Sequence, residues 1–115
     1  MGCYCREQEQ AGLYQWATAQ LVITLGRADA LLNTQDVIVS FVQGKNRIDL
    51  HKAELELDEA ANTITCNLTQ EQTGAFDGSK SASVQVNILY VGGERDASGV
   101  GTIALFSNLY EQVME

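Results

Sequence analysis

Two runs in the second half of the chain alternate apolar and polar residues with a period of two. Ile64, Cys66 and Leu68 are interleaved with Thr63, Thr65 and Asn67, and Val84, Val86, Ile88 and Tyr90 follow Ser83 in the same rhythm. Successive side chains on a strand point to opposite faces, so each run predicts a strand with one face in a core and one towards solvent. Between them, Thr69 followed three residues later by Gln72 has the form of a capping box, and Glu71 suits the positive end of a helix dipole. A short helix is expected to link the two strands, ending at Asp77-Gly78.

The same pattern extends in both directions. Residues 37–43 are the strongest strand signal, β-branched and aromatic, with Val37, Val39 and Phe41 on one face, and they are placed at the centre of a sheet. The turn Gly44-Lys45-Asn46 leads into residues 47–51 and makes a hairpin. In residues 53–58 the alternation turns Leu55 and Leu57 inward and Glu54, Glu56 and Asp58 outward. Residues 21–25 read as a first strand ended by Gly26, residues 27–36 as a loop, residues 91–95 as a glycine-rich hairpin turn and residues 99–106 as the last strand. Asn108 is expected to cap one or two helical turns whose Leu109, Tyr110, Val113 and Met114 need a surface to lie on.

Short alternating runs separated by turn signals predict an all-β protein, an Ig-like β-sandwich of about seven strands with short helical turns. Its expected core includes Val39, Phe41, Ile64, Leu68, Val86 and Ile88. Residues 1–20 are read as a polar N-terminal arm and residues 21–115 as the sandwich domain.

Composition narrows the function. The chain of 115 residues is the size of one domain. Its net charge of −8 and its scattered basic residues argue against nucleic acid as a partner. No apolar run approaches the length that spans a bilayer, and no signal peptide precedes the domain, so no membrane association is expected. Gly2 and Cys3 resemble an acylation start, but Arg6 stands where that pattern wants Ser or Thr. The absence of proline leaves strand edges open to pairing with another chain.

Candidate chemistry is sparse. Cys3, Cys5, Cys66 and His51 are the soft ligands, with no second closely spaced pair to complete a metal site, so no metal or cofactor is expected. Glu54, Glu56, Asp58 and Glu59 lack the glycine turn of a calcium loop and read as a solvated acidic face. Gly99-x-Gly101-x-x-Ala104 has the letters of a dinucleotide fingerprint, but no helix and second strand follow it. His51 has no nucleophile in a strained turn beside it, and a non-enzymatic role is expected.

The arm carries Leu13, Tyr14 and the single tryptophan, Trp16, which either tuck onto the domain or anchor on a neighbouring subunit. Together with Leu109, Tyr110 and Val113 they are the candidate assembly contacts. The competing reading is a binding module that displays residues 27–33 and 92–98 to a glycan or host protein. Neither loop contains Trp, Tyr or Phe, the platforms on which a glycan site usually rests.

The segment Leu68-Thr69-Gln70-Glu71-Gln72-Thr73, the following Phe76, the run 84–90 and a return strand after Gly92-Gly93 resemble a family of short prophage proteins encoded among phage structural genes. The resemblance covers about residues 21–114, and only the Leu-Thr-Gln-Glu-x-Thr segment is distinctive. The chain departs from the pattern in its longer polar arm and in the few basic residues of the run 84–90. The resemblance implies a non-enzymatic virion structural protein of a tail, neck or baseplate. It also implies homo-oligomers that contact adjacent virion proteins, first in the bacterial cytoplasm during assembly and then in the virion.

Overall fold

The computed structural model describes residues 12–114. In chain order the strands are β1 (Gly12–Tyr14), β2 (Ala19–Thr24), β3 (Thr34–Gln43), β4 (Asn46–His51), β5 (Leu55–Asp58), β6 (Thr63–Leu68), β7 (Ala82–Tyr90), β8 (Arg95–Ala97) and β9 (Gly101–Phe106). A 3-10 turn, Lys52–Glu54, precedes β5, and a short helix, α1 (Gln70–Gly74), joins β6 to β7. No helix among the described residues is long and apolar enough to cross a membrane.

The strands form two sheets. One has the order β1-β9-β7-β3-β4 with β8 also paired to β7, and the other has the order β2-β6-β5. All pairs are antiparallel except β1 on β9, where Leu13 lies opposite Leu105. Strands two, six and five facing strands four, three, seven and nine is the interleaving of an Ig-like sandwich. The two strands beyond the expected seven are β1 and the extra piece made where the returning edge splits into β8 and β9, each paired to a different half of β7.

The inward positions of both sheets make one core. Val37, Val39 and Phe41 on β3 are fully buried, as are Ile64 and Cys66 on β6, and Leu68, Val86 and Ile88 join them. The period-two pattern therefore placed all six expected core residues, and β3 lies between β7 and β4 as its composition requires. Burying a side chain such as Phe41 is worth roughly 1.5–3 kcal/mol. Gly44, at φ +59°, supplies the left-handed residue of the β3–β4 turn.

Several expected boundaries move. The strand after the arm starts at Ala19, so the boundary at residue 21 falls inside β2, and Gly12–Tyr14 adds a strand within the expected arm. Residues 53 and 54 lie in the 3-10 turn, because the Glu54 carboxylate reaches back to the His51 N–H. The last strand begins at Gly101. The Thr69 capping box is present in both directions, with the Gln72 N–H on Thr69 Oγ1 and the Thr69 N–H on Gln72 Oε1. The helix nevertheless stops at Ala75, which is right-handed, and Gly78 has no positive φ. Gly78 serves close approach instead, since a Cβ there would lie 2.7 Å from the Cα of Ser107.

The loop after α1 is held by a buried amide. Gln43 Nε2 donates to the carbonyls of Asp77 and Lys80, and its Oε1 accepts from the Asp77 N–H. Three backbone groups of this loop are thus engaged by one side chain of β3.

Candidate assembly surface

Helix α1 is the point on which the N-terminal and C-terminal segments converge. After β1, Trp16 adopts φ +64°, an unusual conformation for a bulky residue, and lays its indole over Gly74. A Cβ at position 74 would overlap that ring, so only glycine leaves room for the indole. The Thr73 hydroxyl donates to the Ala17 carbonyl at 2.8 Å, and the Gln15 side chain donates to the Phe76 carbonyl. Residues 15–17 are therefore fastened to α1 through Ala17 and to the residues just after it through Gln15.

The C-terminal segment is fastened to the same place. Asn108 Nδ2 donates to the Gln15 carbonyl at 3.0 Å. Gln70 Nε2 donates to the Met114 carbonyl at 3.0 Å, and Gln70 Oε1 accepts the Met114 N–H at 2.7 Å. With its backbone engaged by a side chain of α1, residues 108–114 form no helix, contrary to expectation. Asn108 does cap locally, accepting the Tyr110 N–H.

These attachments sort the candidate contacts. Leu13 is buried in the core, 6% exposed, and is a packing residue rather than an assembly contact. Trp16 packs on its own domain, the commoner of its two expected roles. Tyr14 points outward, 58% exposed, and its ring meets that of Phe106 at a centroid distance of 5.2 Å and a tilt of 41°. Leu109 is fully exposed, and Tyr110 and Met114 are mostly so. Val113 lines an open groove with Thr18, Gln20, Asn67, Gln70 and Glu71. Tyr14 and Phe106 thus form an exposed aromatic pair on β1 and β9, and Leu109 and Tyr110 are exposed on a segment pinned to α1. The sequence singled out neither Phe106 nor Gln70 for this role. Their signal lay in an even position of β9 facing out and in an amide one residue after the cap.

The two loops of the competing reading also meet. Arg27 Nη1 lies 2.9 Å from Asp96 Oδ2, and its guanidinium sits 5.4 Å over the Tyr90 ring. The Arg27 hydrogen bond, aided by the Ala97 N–H, holds the Asp96 carboxyl below the usual range. Tyr90 Oη donates to the Ala30 carbonyl. The polar groups at the base of these loops are satisfied by one another.

Titratable chemistry elsewhere is structural. Burial pushes the Cys66 thiol up to about 11, which keeps it neutral. Burial raises the Asp36 carboxyl, but hydrogen bonds from His51 at 3.2 Å and from the Lys52 and Val37 N–H groups outweigh it and leave it below its ordinary value. Among the described residues no group of three or more His, Cys, Asp or Glu is placed to hold a metal ion. Cys3 and Cys5 lie outside the described residues.

No family model matches the chain, and no curated protein does. Among solved structures, the cycloalternan-degrading enzyme from Trueperella pyogenes is similar in fold, with a TM-score of 0.56 and 9% identity. The similarity covers 91% of this chain and 13% of that enzyme. At that identity the likeness extends to the fold alone, a sandwich the size of one small part of a much longer chain.

Proposed function

We propose that the chain is a non-enzymatic structural subunit of a phage particle, a tail, neck or baseplate component that associates with copies of itself and with adjacent virion proteins. The observation that carries this reading is the exposure of large apolar side chains, the Tyr14–Phe106 pair on β1 and β9 and Leu109 with Tyr110 on the segment pinned to α1. A segment whose backbone is tied to α1 through Met114 holds its large side chains in solvent at little further cost in conformational entropy, as a contact surface requires. The resemblance of residues 68–76 and 84–90 to short prophage proteins supports the phage setting, with assembly in the bacterial cytoplasm and residence in the virion.

The second reading is an Ig-like binding module offering residues 27–33 and 92–98 to a host glycan or protein. The fold it shares with a cycloalternan-degrading enzyme favours it. Against it, Arg27 and Asp96 of these loops are engaged with each other and with Tyr90 rather than open to a ligand. Mass spectrometry of particles purified from a host that carries the gene tests the proposal. The chain is expected at a fixed ratio to the other particle proteins, and its absence from intact particles would refute the proposal.

A further inference from the structure

Among the described residues, the outer edge of β2 has no partner strand, because β2 ends the sheet β2-β6-β5. The direction of its free backbone groups follows from the register. The Leu25 N–H donates to the Asn62 carbonyl at 3.0 Å, continuing the pairing that sets Ile23 opposite Ile64. Odd-numbered residues of β2 therefore bond to β6, and Gln20, Val22 and Thr24 turn their N–H and C=O groups outward.

Long edge strands are ordinarily protected by charge, proline or a bulge. Here β4 carries Arg47, Asp49 and His51, and β5 carries Glu56 and Asp58. By contrast, β2 has none of these devices, and no charged residue occurs from Gly12 through Gly26. The sandwich is also open beside it. Leu21 and Ile23 face inward yet are only half-buried, whereas Ile64 and Cys66, next to them on β6, are fully buried. The opening is a groove of about 360 Å³ whose apolar lining comes from Leu21, Ile23, Leu25, Val84, Val86 and Ile103.

We infer that β2 is a strand-addition edge, and that its occupant is β2 of a second copy, paired antiparallel about a two-fold axis at Val22. This rests on the assembly reading and gives it a second surface. Charge favours this edge for the meeting of two copies: chains of net charge −8 repel least where the contact itself carries no charge, and among the described residues β2 is the uncharged long edge. Register agrees. Setting Val22 opposite Val22 places Gln20 opposite Thr24 and Leu21 opposite Ile23, which pairs the outward backbone groups of both copies. Inward residues then stay on the inner face and outward ones on the outer face. The exposed Val22 side chains cover each other, and Leu21 and Ile23 of each copy close the groove of the other.

The full-length chain tests this with two variants at Val22, whose side chain is 54% exposed and outside the core. Val22→Lys sets two ammonium groups together on the axis, and it is expected to weaken dimerisation by at least about tenfold while the thermal midpoint holds. Val22→Cys is expected, on oxidation, to give a bridge between the introduced thiols of two chains, since hydrogen-bonded cross-strand pairs stand within disulfide reach. Peptide mapping identifies the bridge. A bridge from the introduced thiol to Cys3 or Cys5 would assign the seat to the chain's own first residues and overturn the inference. Self-association unchanged by Val22→Lys but lost on Tyr14→Ser with Tyr110→Ser would overturn it and leave the assembly reading standing. A monomer at every concentration would overturn both.

Discussion

The side-chain amide of Gln70 exchanges two hydrogen bonds with the backbone of Met114, at 3.0 and 2.7 Å, as a neighbouring strand residue would. One amide of a five-residue helix thereby fixes the course of the C-terminal segment, and with it the exposure of Leu109 and Tyr110. Gln70→Ala is expected to release that segment at a cost of about 1–2 kcal/mol of local stability, with little change in the global midpoint. Hydrogen exchange at residues 109–114 should rise in the variant, and unchanged protection would show that other contacts hold the segment.

Gly78 and Gly92 form a matched pair for a packing prediction. A Cβ at Gly78 meets the Ser107 backbone, whereas one at Gly92 meets nothing within 4 Å. Gly78→Ala should therefore cost about 1–3 kcal/mol, and Gly92→Ala should stay within about 0.5 kcal/mol of the parent. Denaturant unfolding of the two variants makes the comparison.

Cys66 is fully buried with a thiol that burial pushes up to about 11. In the folded protein at pH 8 it should resist alkylation that modifies it readily in denaturant. Phe41→Ala, at the centre of the same core, should cost about 3–5 kcal/mol if the site cannot collapse. Peptide mapping after a labelling pulse checks the first outcome, and denaturant unfolding checks the second.

The strands were legible because their signal is local. Val37, Val39 and Phe41, or Ile64, Cys66 and Leu68, announce a buried face within a few residues, and Thr69 with Gln72 announces a cap within one turn. What the sequence concealed depends on residues far apart in the chain. Gly12–Tyr14 is too short to show a period and becomes a strand only because β9 offers a parallel edge, which also turns Leu13 into a core residue. Gln43 looks like the polar end of a strand, yet it is buried because the loop at Asp77 and Lys80 closes over it. Asn108 looks like the start of a helix, but the tail's backbone bonds go to Gln70 and its own hydrogen bond goes to Gln15.

Acid should weaken the fold by a predictable route. The hydrogen bonds of Asp49 from Arg47 and Ser40 hold its carboxyl below the ordinary value, and those of Asp36 do the same despite burial. Folded values below unfolded ones mean that the unfolded chain takes up protons first. The stability is therefore present at neutral pH and lost as pH falls below about 4, through the folded values. Asp49→Asn should flatten the acid limb of a stability-versus-pH curve, and an unaltered limb would remove Asp49 from this explanation.

The central claim is that the exposed apolar side chains of β1, β9 and the C-terminal segment are assembly contacts. Its most direct test is the mass in solution of the full-length chain over a concentration series, beside a variant carrying Tyr14→Ser, Leu109→Ser and Tyr110→Ser. These side chains are all more than half exposed, so the fold should survive their replacement. The expected result is an oligomer for the parent and a shift towards monomer, by at least about tenfold in the association constant, for the variant. A parent that remains monomeric throughout, or an oligomer indifferent to all three substitutions, would contradict it.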